Sequence, residues 1–498
     1  MSRFSLAASK LSYADLFMLT RLAILLIVLS ELPFVTAAGQ MTSAAIVQPP
    51  LFSASVSGRA IELHEFEQGS FGMFELTSPA EVEIRPDFDV RWVDIRPKSR
   101  AIKPIVGADH KSVRFKMNEP GAVTVEFNDD LGHVVHLFGY APQKDTPKPG
   151  TPNVRYFGPG IHEPGLIDLH DGEILYLAPG AWVKGNVRSI GTKDVVIRGR
   201  GVLDGSDVEK ERASDRSPGS HNMIYLDRTQ NAKIEGITIF NSVNWTVFVR
   251  SSTGTRIDGV NILNPSNNYG NDGFDIVSSS DVLVENTFVR TNDDCVVVKN
   301  LDDVEVQNVL VRHSVFWNMA TGGNGIETGF ELRNHPVHDL RFEDIDLIHV
   351  QRGSAISIHN GDSAVVENII FDNIRVEDVR RKLIDIAVVY AQYGADRPKD
   401  EEENRRRIDR GGAWDGILTY TPEQKPALSN LRGHIRNITI KNVHVVDGSL
   451  PYSVIAGFDD EHAVDGLVIE GLQYQGQHIR NAGECKLVTQ HARGVSFR

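Results

Sequence analysis

The sequence predicts an all-β protein, a right-handed parallel β-helix with a small N-terminal β-sandwich-like domain. Two observations carry this expectation. A four-residue unit (apolar β residue, polar residue, then Gly, Asn or Asp, then usually another apolar residue) recurs through the second half of the chain. Ahead of it, alternating strand patterns end in a proline-rich stretch. With 498 residues, 41% of them hydrophobic and 24% charged, the chain is long enough for a large core and reads as globular.

Residues 1–38 read as a signal peptide. Arg3, Lys10 and Arg21 precede an apolar run from Leu22 to Leu29, and Val35-Thr36-Ala37-Ala38 supplies small residues for cleavage. The apolar run is too short to span a bilayer comfortably, and Glu31 and Pro33 stop it from extending further. The expectation is a secreted or periplasmic protein with no stable membrane insertion after cleavage. Cys295 and Cys485 are the only cysteines, so a packed core rather than a disulfide framework must hold the chain. Cys295 lies in an apolar strand pattern, which predicts a buried free thiol.

Residues 45–140 read as a small β domain. Ala122 to Phe127 and His133 to Phe138 both alternate, and Asn128-Asp129-Asp130-Leu131-Gly132 between them predicts a hairpin turn. Residues 141–153 read as a stiff linker, with Pro142, Pro147, Pro149 and Pro152.

Residues 154–498 read as the β-helix. The recurring unit occurs as Ile234-Glu235-Gly236-Ile237, Ile257-Asp258-Gly259-Val260, Val284-Glu285-Asn286-Thr287, and, in its weakest copy, Val311-Arg312-His313-Ser314. It returns as Phe342-Glu343-Asp344-Ile345, Phe371-Asp372-Asn373-Ile374, Ile440-Lys441-Asn442-Val443 and Ile469-Glu470-Gly471-Leu472. The first residues stand 23, 27, 27, 31, 29, 69 and 29 positions apart. Gly, Asn and Asp tolerate the left-handed conformation a coil corner needs, and the apolar neighbours point inward to stack on the next coil. The gap of 69 predicts one or more irregular coils and a long insertion. Within it, Glu401-Glu402-Glu403 and Arg405-Arg406-Arg407 read as a solvated loop.

A formal net charge of −14 excludes nucleic acid as a partner, since phosphate binding needs a basic surface. It also disfavours a very anionic polymer, unless a local basic patch overrides the average.

Four segments share a strand pattern and locate the chemistry: Asp272-Gly273-Phe274-Asp275-Ile276, Asp293-Asp294-Cys295-Val296-Val297, Asn324-Gly325-Ile326-Glu327-Thr328 and Ser354-Ala355-Ile356-Ser357-Ile358. Their first residues are 21, 31 and 30 apart, one segment per coil. Strands of adjacent coils lie about 4.8 Å apart, so Asp272 and Asp293 are expected as rung neighbours with Asp294 beside them. Crowded carboxylates raise one another's pKa and give an acid and a base at the same pH, as glycosidic cleavage requires. A Ca²⁺ site is the rival reading of three clustered acids. Asp275 reads as structural, and Trp245 and Trp317 as sugar-stacking or core residues alike.

At these residues the chain resembles glycoside hydrolase family 28, the polygalacturonase family. Gly270-Asn271-Asp272-Gly273-Phe274-Asp275 is similar to the family's Asn-Thr-Asp-Gly-(Ile/Phe)-Asp. Asn292-Asp293-Asp294-Cys295-Val296-Val297-Val298-Lys299 is similar to its Gly/Asn-Asp-Asp-Cys-(apolar)3-Lys. The resemblance implies an inverting O-glycosyl hydrolase of polysaccharide, without cofactor or metal. Asp293 would be the general acid, with Asp272 and Asp294 activating water. Where the family has Gly-His-Gly this chain has Gly323-Asn324-Gly325, and where it has Arg-x-Lys this chain has Ser357-Ile358-His359. Loss of those cations implies a neutral or modified polysaccharide, with weak action on polygalacturonate. A pectin hydrolase using Arg352 or another basic residue, and a Ca²⁺-dependent lyase of the same fold, are the alternatives. Asn324, Glu327, Glu331, Lys299 and His359 are the expected substrate-binding residues, and Glu327 reads equally as a structural strand residue. The insertion around residues 385–430 is placed to wall off one end of the groove. Oligomeric state is not legible.

Overall fold

The computed structural model describes residues 51–209, 219–319, 322–408 and 416–498. The segment read as a signal peptide lies outside these residues. Among them no helix is long and apolar enough to cross a membrane.

The first ten strands, Phe52–Val56 through Asp130–Tyr140, form two five-stranded sheets packed face to face. Their shared core includes Val82, Ile84 and Phe115 from one sheet and Val125, Phe127 and Leu137 from the other. Neighbours pair antiparallel except Asp130–Tyr140 beside Gly69–Glu75, which run parallel. The expected hairpin joins Gly121–Phe127 to Asp130–Tyr140. Asn128 and Asp129 take φ of 57° and 59°, the left-handed pair of a two-residue turn whose twist matches the strands.

Alternation along the second hairpin strand serves two cores. Val135 and Leu137 face into the sandwich. Val134, Phe138 and Tyr140 face the other way and, with Phe71, pack on Phe240, Leu263, Phe288 and Trp317 of the following domain. A buried ionic seam runs beside them: Arg96 reaches Glu126 at 3.0 Å and Glu377 at 2.7 Å, and His349 reaches Glu126 at 2.6 Å and Asp378 at 2.8 Å. Trp317, 1% exposed, is therefore a packing residue at this junction and is not available to a sugar. An outward-pointing aromatic on a strand looks the same in sequence whether protein or ligand covers it.

From Val154–Phe157 to Ser496–Phe497 the strands form one right-handed parallel β-helix. The expected stack is continuous: Ile234 pairs with Ile257, then Val284, Val311, Phe342, Phe371, Ile440 and Ile469. Each is at most 1% exposed. The third residue of every unit is left-handed, from Gly236 at 73° to His313 at 51°. Phe371 pairs directly with Ile440, so the gap of 69 is one coil with an insertion between Val388 and His434, not several coils. In that insertion the charged run is a short helix, Glu401–Arg407, rather than a loop. Asp400 caps it by accepting from the Glu403 amide, and acids in the first turn and arginines in the last complement its dipole. Cys295 and Cys485 are free and buried.

Candidate active site

Five successive strands of one β-helix face position the site: Phe274–Val277, Val296–Asn300, Ile326–Leu332, Ser354–Asn360 and Lys382–Val388. Phe274, Val296, Ile326, Ile356 and Ile384 point into the core. The period of two therefore turns their neighbours outward. Asp275, Val297, Glu327, Ser357 and Asp385 form one such outward rung.

The register corrects the sequence alignment by one residue. Phe274 sits opposite Val296 and Val296 opposite Ile326. The Gly273 amide donates to the Asp294 carbonyl at 2.8 Å and the Cys295 amide to the Asn324 carbonyl at 3.0 Å. Asp294, rather than Asp293, is thus in line with Asp272 and Asn324. Asp293 stands one position off the rung, where the coil bends into the strand. Gly323, at φ 65°, passes so close beneath that a Cβ would meet the Asp293 carbonyl carbon at 2.1 Å. Only glycine fits there.

Asp272, Asp293 and Asp294 each bring a carboxylate oxygen within 4.8 Å of the others. They sit at the floor of a cleft of about 670 Å³, with Trp245, Tyr269, Phe330 and Tyr393 among its walls. Asp293 accepts from the amides of Gly270 and Asp294, both at 3.1 Å. Burial first, and the charge of Asp272 second, push its carboxyl up to about 7. Burial and then Asp293, Asp272 and Glu327 hold Asp294 well above the usual carboxylate range. Three crowded acids thus retain a proton near neutrality. The same oxygens would suit a hard cation, but a fixed positive charge already serves the cluster. Lys299 Nζ lies 3.2 Å from Asp272 and 2.9 Å from Asp275, with the Trp245 ring 3.7 Å above it. Burial opposes the ammonium, yet Asp275 and Asp272 outweigh it and keep Lys299 charged.

The remaining expected residues divide. Lys299, Asn324, Glu331 and His359 line the cleft. Asn324 is engaged inward: its backbone amide and Nδ2 donate to Asp294 Oδ1 at 2.6 and 3.0 Å, and Nδ2 also reaches Glu327 Oε2 at 3.0 Å. Glu327 is not a sugar contact. It is 0% exposed, and both oxygens face the His359 Nδ1 at 2.9 and 3.0 Å. Nor is His359 a free hydrogen bonder at the rim. Its Nε2 faces Asp385 at 3.0 Å and its ring stacks on Phe330, with centroids 4.7 Å apart. Asp275 is structural, through Lys299.

Sequence reasoning missed Tyr269, Tyr393, Gln392 and Arg381. Tyr393 and Gln392 belong to the insertion, which does reach the cleft; its charge blocks drew attention away from its tyrosines. Arg381 joins Arg352 on the cleft wall and forms no ion pair among the described residues. Losing Arg-x-Lys has therefore not stripped the cleft of cations.

Residues 179–400 match the family model described as Glycosyl hydrolases family 28. A probable polygalacturonase from Arabidopsis thaliana is 24% identical over 204 residues, 39% of this chain and 44% of that protein. A probable exopolygalacturonase B from Aspergillus terreus is 30% identical over 216 residues, 39% of this chain and 47% of that protein. The chain spans less than half the length of these curated relatives. Among solved structures, Dex49A from Penicillium minioluteum superposes with a TM-score of 0.59 at 14% identity, over 86% of this chain and 83% of that one, a likeness of fold. The three aspartates, their lysine and the asparagine beneath them all fall inside 179–400, the stretch of the chain that matches this family model.

Proposed function

We propose that this protein is a glycoside hydrolase that cleaves O-glycosidic bonds of an acidic polysaccharide of the pectic kind. The carrying observation is the trio of carboxylates within 4.8 Å at the floor of an open cleft. Asp293, raised to about 7, delivers the proton to the leaving oxygen. Asp272, paired to Lys299, and Asp294, held by Asn324, orient and deprotonate the attacking water. Trp245, Tyr269 and Tyr393 offer ring faces to sugars. The neutral-substrate expectation gives way because Arg352 and Arg381 line the cleft and the matched relatives carry polygalacturonase names. Guanidinium groups bind carboxylates in bidentate fashion. Action outside the cytoplasm rests on the N-terminal segment alone.

Inversion rests on the motif. The oxygens approach closer than the separation of about 6.5–9.5 Å usual for inverting pairs, and nearer the retaining distance of about 5–5.5 Å. Retention is therefore the second reading.

The test is a panel of polygalacturonate and neutral glucans, read by new reducing ends, by ultraviolet absorbance of unsaturated sugars and by NMR of the first anomer formed. Reducing ends from polygalacturonate without ultraviolet absorbance support the proposal, and Arg381→Gln should then raise KM several-fold. Cleavage confined to neutral glucans would overturn the substrate, and unsaturated products would overturn the reaction class. The β-anomer from an α-linked polymer indicates inversion, and the α-anomer retention.

A further inference from the structure

From Asp294 a line of polar side chains runs along successive strands beneath the cleft with alternating charge. Asn324 is pinned at three points. Nδ2 donates to Asp294 Oδ1 at 3.0 Å and to Glu327 Oε2 at 3.0 Å, while Oδ1 accepts from the Ser354 amide at 2.9 Å. Glu327 meets His359 Nδ1, His359 Nε2 meets Asp385, and Asp385 pairs closely with Lys382. Glu327, His359, Asp385 and Lys382 are each at most 2% exposed.

Such a line is expensive unless it has a task, because buried charges lose hydration and a half-satisfied network costs more than an apolar one. Its outer end shows the task. A base must be ionised to take a proton from water, yet Asp294 is crowded by Asp293, Asp272 and Glu327, each of which opposes its charge. Two donors from Asn324 favour the ionised form, as does the charge of Lys299. Glu327 therefore plays two opposed parts. Its oxygen orients the Asn324 amide toward Asp294, but its charge works against Asp294. An imidazolium against Glu327 cancels the second part and keeps the first. Burial alone would lower the His359 imidazole, but Glu327 and Asp385 on its two sides carry it up to about 9.

We infer that His359, clamped between Glu327 and Asp385, is a positioning residue that keeps Asp294 available as the base by neutralising Glu327 while leaving Glu327 to orient Asn324. The inference rests on the base role proposed for Asp294. His359 acts through Glu327 and Asn324, with its two ring nitrogens facing Glu327 and Asp385 rather than the water proposed to attack. The charged groups near the line are Asp293, Asp272 and Lys299 at its outer end, Glu331 on the same strand as Glu327, Arg352 and Arg381 on the cleft wall, and Asp385 and Lys382 at its inner end.

The test combines pH–rate profiles with a readout that needs no substrate. In His359→Gln, Glu327 is left uncompensated. The acid limb of kcat/KM should move up by about one pH unit, the scale of one like charge nearby, with KM within twofold of the parent. Glu327→Gln should move the limb the other way, and the double variant should return it close to the parent position. Infrared difference titration of the unliganded protein should show the same shift in carboxyl protonation. Imidazole ¹⁵N NMR should show His359 protonated on both nitrogens at pH 7.5. A folded His359→Gln protein with an unmoved acid limb and an unmoved carboxyl titration overturns the inference, as does a large rise in KM alone. If His359→Gln does not fold, Glu327→Gln decides by the direction of its shift. If Asp293→Asn leaves turnover intact while His359→Gln still moves the carboxyl titration, the hydrolase mechanism fails and the positioning line stands.

Discussion

Replacing Asp293 by asparagine should destroy activity and stabilise the protein in the same molecule, but only above a defined pH. The folded carboxyl titrates at about 7 against an ordinary 3.8, so the native state holds its proton more tightly than the unfolded chain does. By linkage, the stability this group contributes is present in full below about pH 4 and is lost as pH rises through 7. Each pKa unit corresponds to about 1.4 kcal/mol, so the full shift would set a ceiling on the order of 4 kcal/mol. The carboxyl is partly open to the cleft, and the neighbouring Asp294 titrates together with it, which reduces the expected effect to about 1–2 kcal/mol. Asparagine is nearly isosteric and can still accept from the Gly270 amide, but it does not ionise. The melting temperature of Asp293→Asn relative to the parent should therefore be about 1–2 °C higher at pH 8 than the same difference measured at pH 4. Turnover should fall about 10²–10⁴-fold at the pH optimum, with loss of the alkaline limb near pH 7 that deprotonation of the acid imposes. Calorimetry at the two pH values and a reducing-end assay check both halves. A stability difference that does not change with pH would refute the raised carboxyl, and near-parental turnover would refute its role as acid.

The same geometry sets the outcome of other perturbations. Asp272→Asn and Asp294→Asn should each lower kcat with KM little changed, because both act on the water. Chelators should leave turnover unchanged, since Lys299 already supplies positive charge beside Asp272; inactivation by chelator with recovery on Ca²⁺ would restore the lyase reading. Phe342→Ala should cost about 3–5 kcal/mol by equilibrium denaturation. Phe342 is 0% exposed, and its ring lies parallel to that of Phe371 with centroids 5.1 Å apart. A loss under about 1 kcal/mol would mean that the stack collapses around the cavity.

The β-helix was legible because its corners demand a conformation few residues accept. Gly236, Asn286, Asp344 and Asn373 are all left-handed, and even His313, the least typical of the set, adopts the same conformation at 51°. The apolar residue two positions before each corner then has one place to go. The three aspartates were legible as a cluster, but their register was not. Matching Asp272 to the first of two adjacent aspartates is as good a pattern as matching it to the second, and only the ladder bond from Gly273 to the Asp294 carbonyl separates them. The fates of Trp317 and Glu327 were not legible for a related reason. Alternation shows that a side chain leaves the core but not what it meets outside. Trp317 meets the sandwich, and Glu327 meets Asn324 and His359.

Alternation also explains how one sheet face carries both a strong scaffold and a costly site. Inward positions of the five strands are Phe, Val and Ile apart from Thr328, stacked on the inward residues of the next coil, so the backbone under the cleft is fixed by burial on one side alone. The outward positions are then free to hold groups that would destabilise an ordinary core: Asp275, Lys299, Glu327, His359 and Asp385. Their mutual pairing compensates these buried charges. Lys299 answers Asp272 and Asp275, and His359 with Lys382 answers Glu327 and Asp385. Asp293 and Asp294 have no cation of their own among the described residues, and they are the two acids proposed to trade a proton with sugar and water.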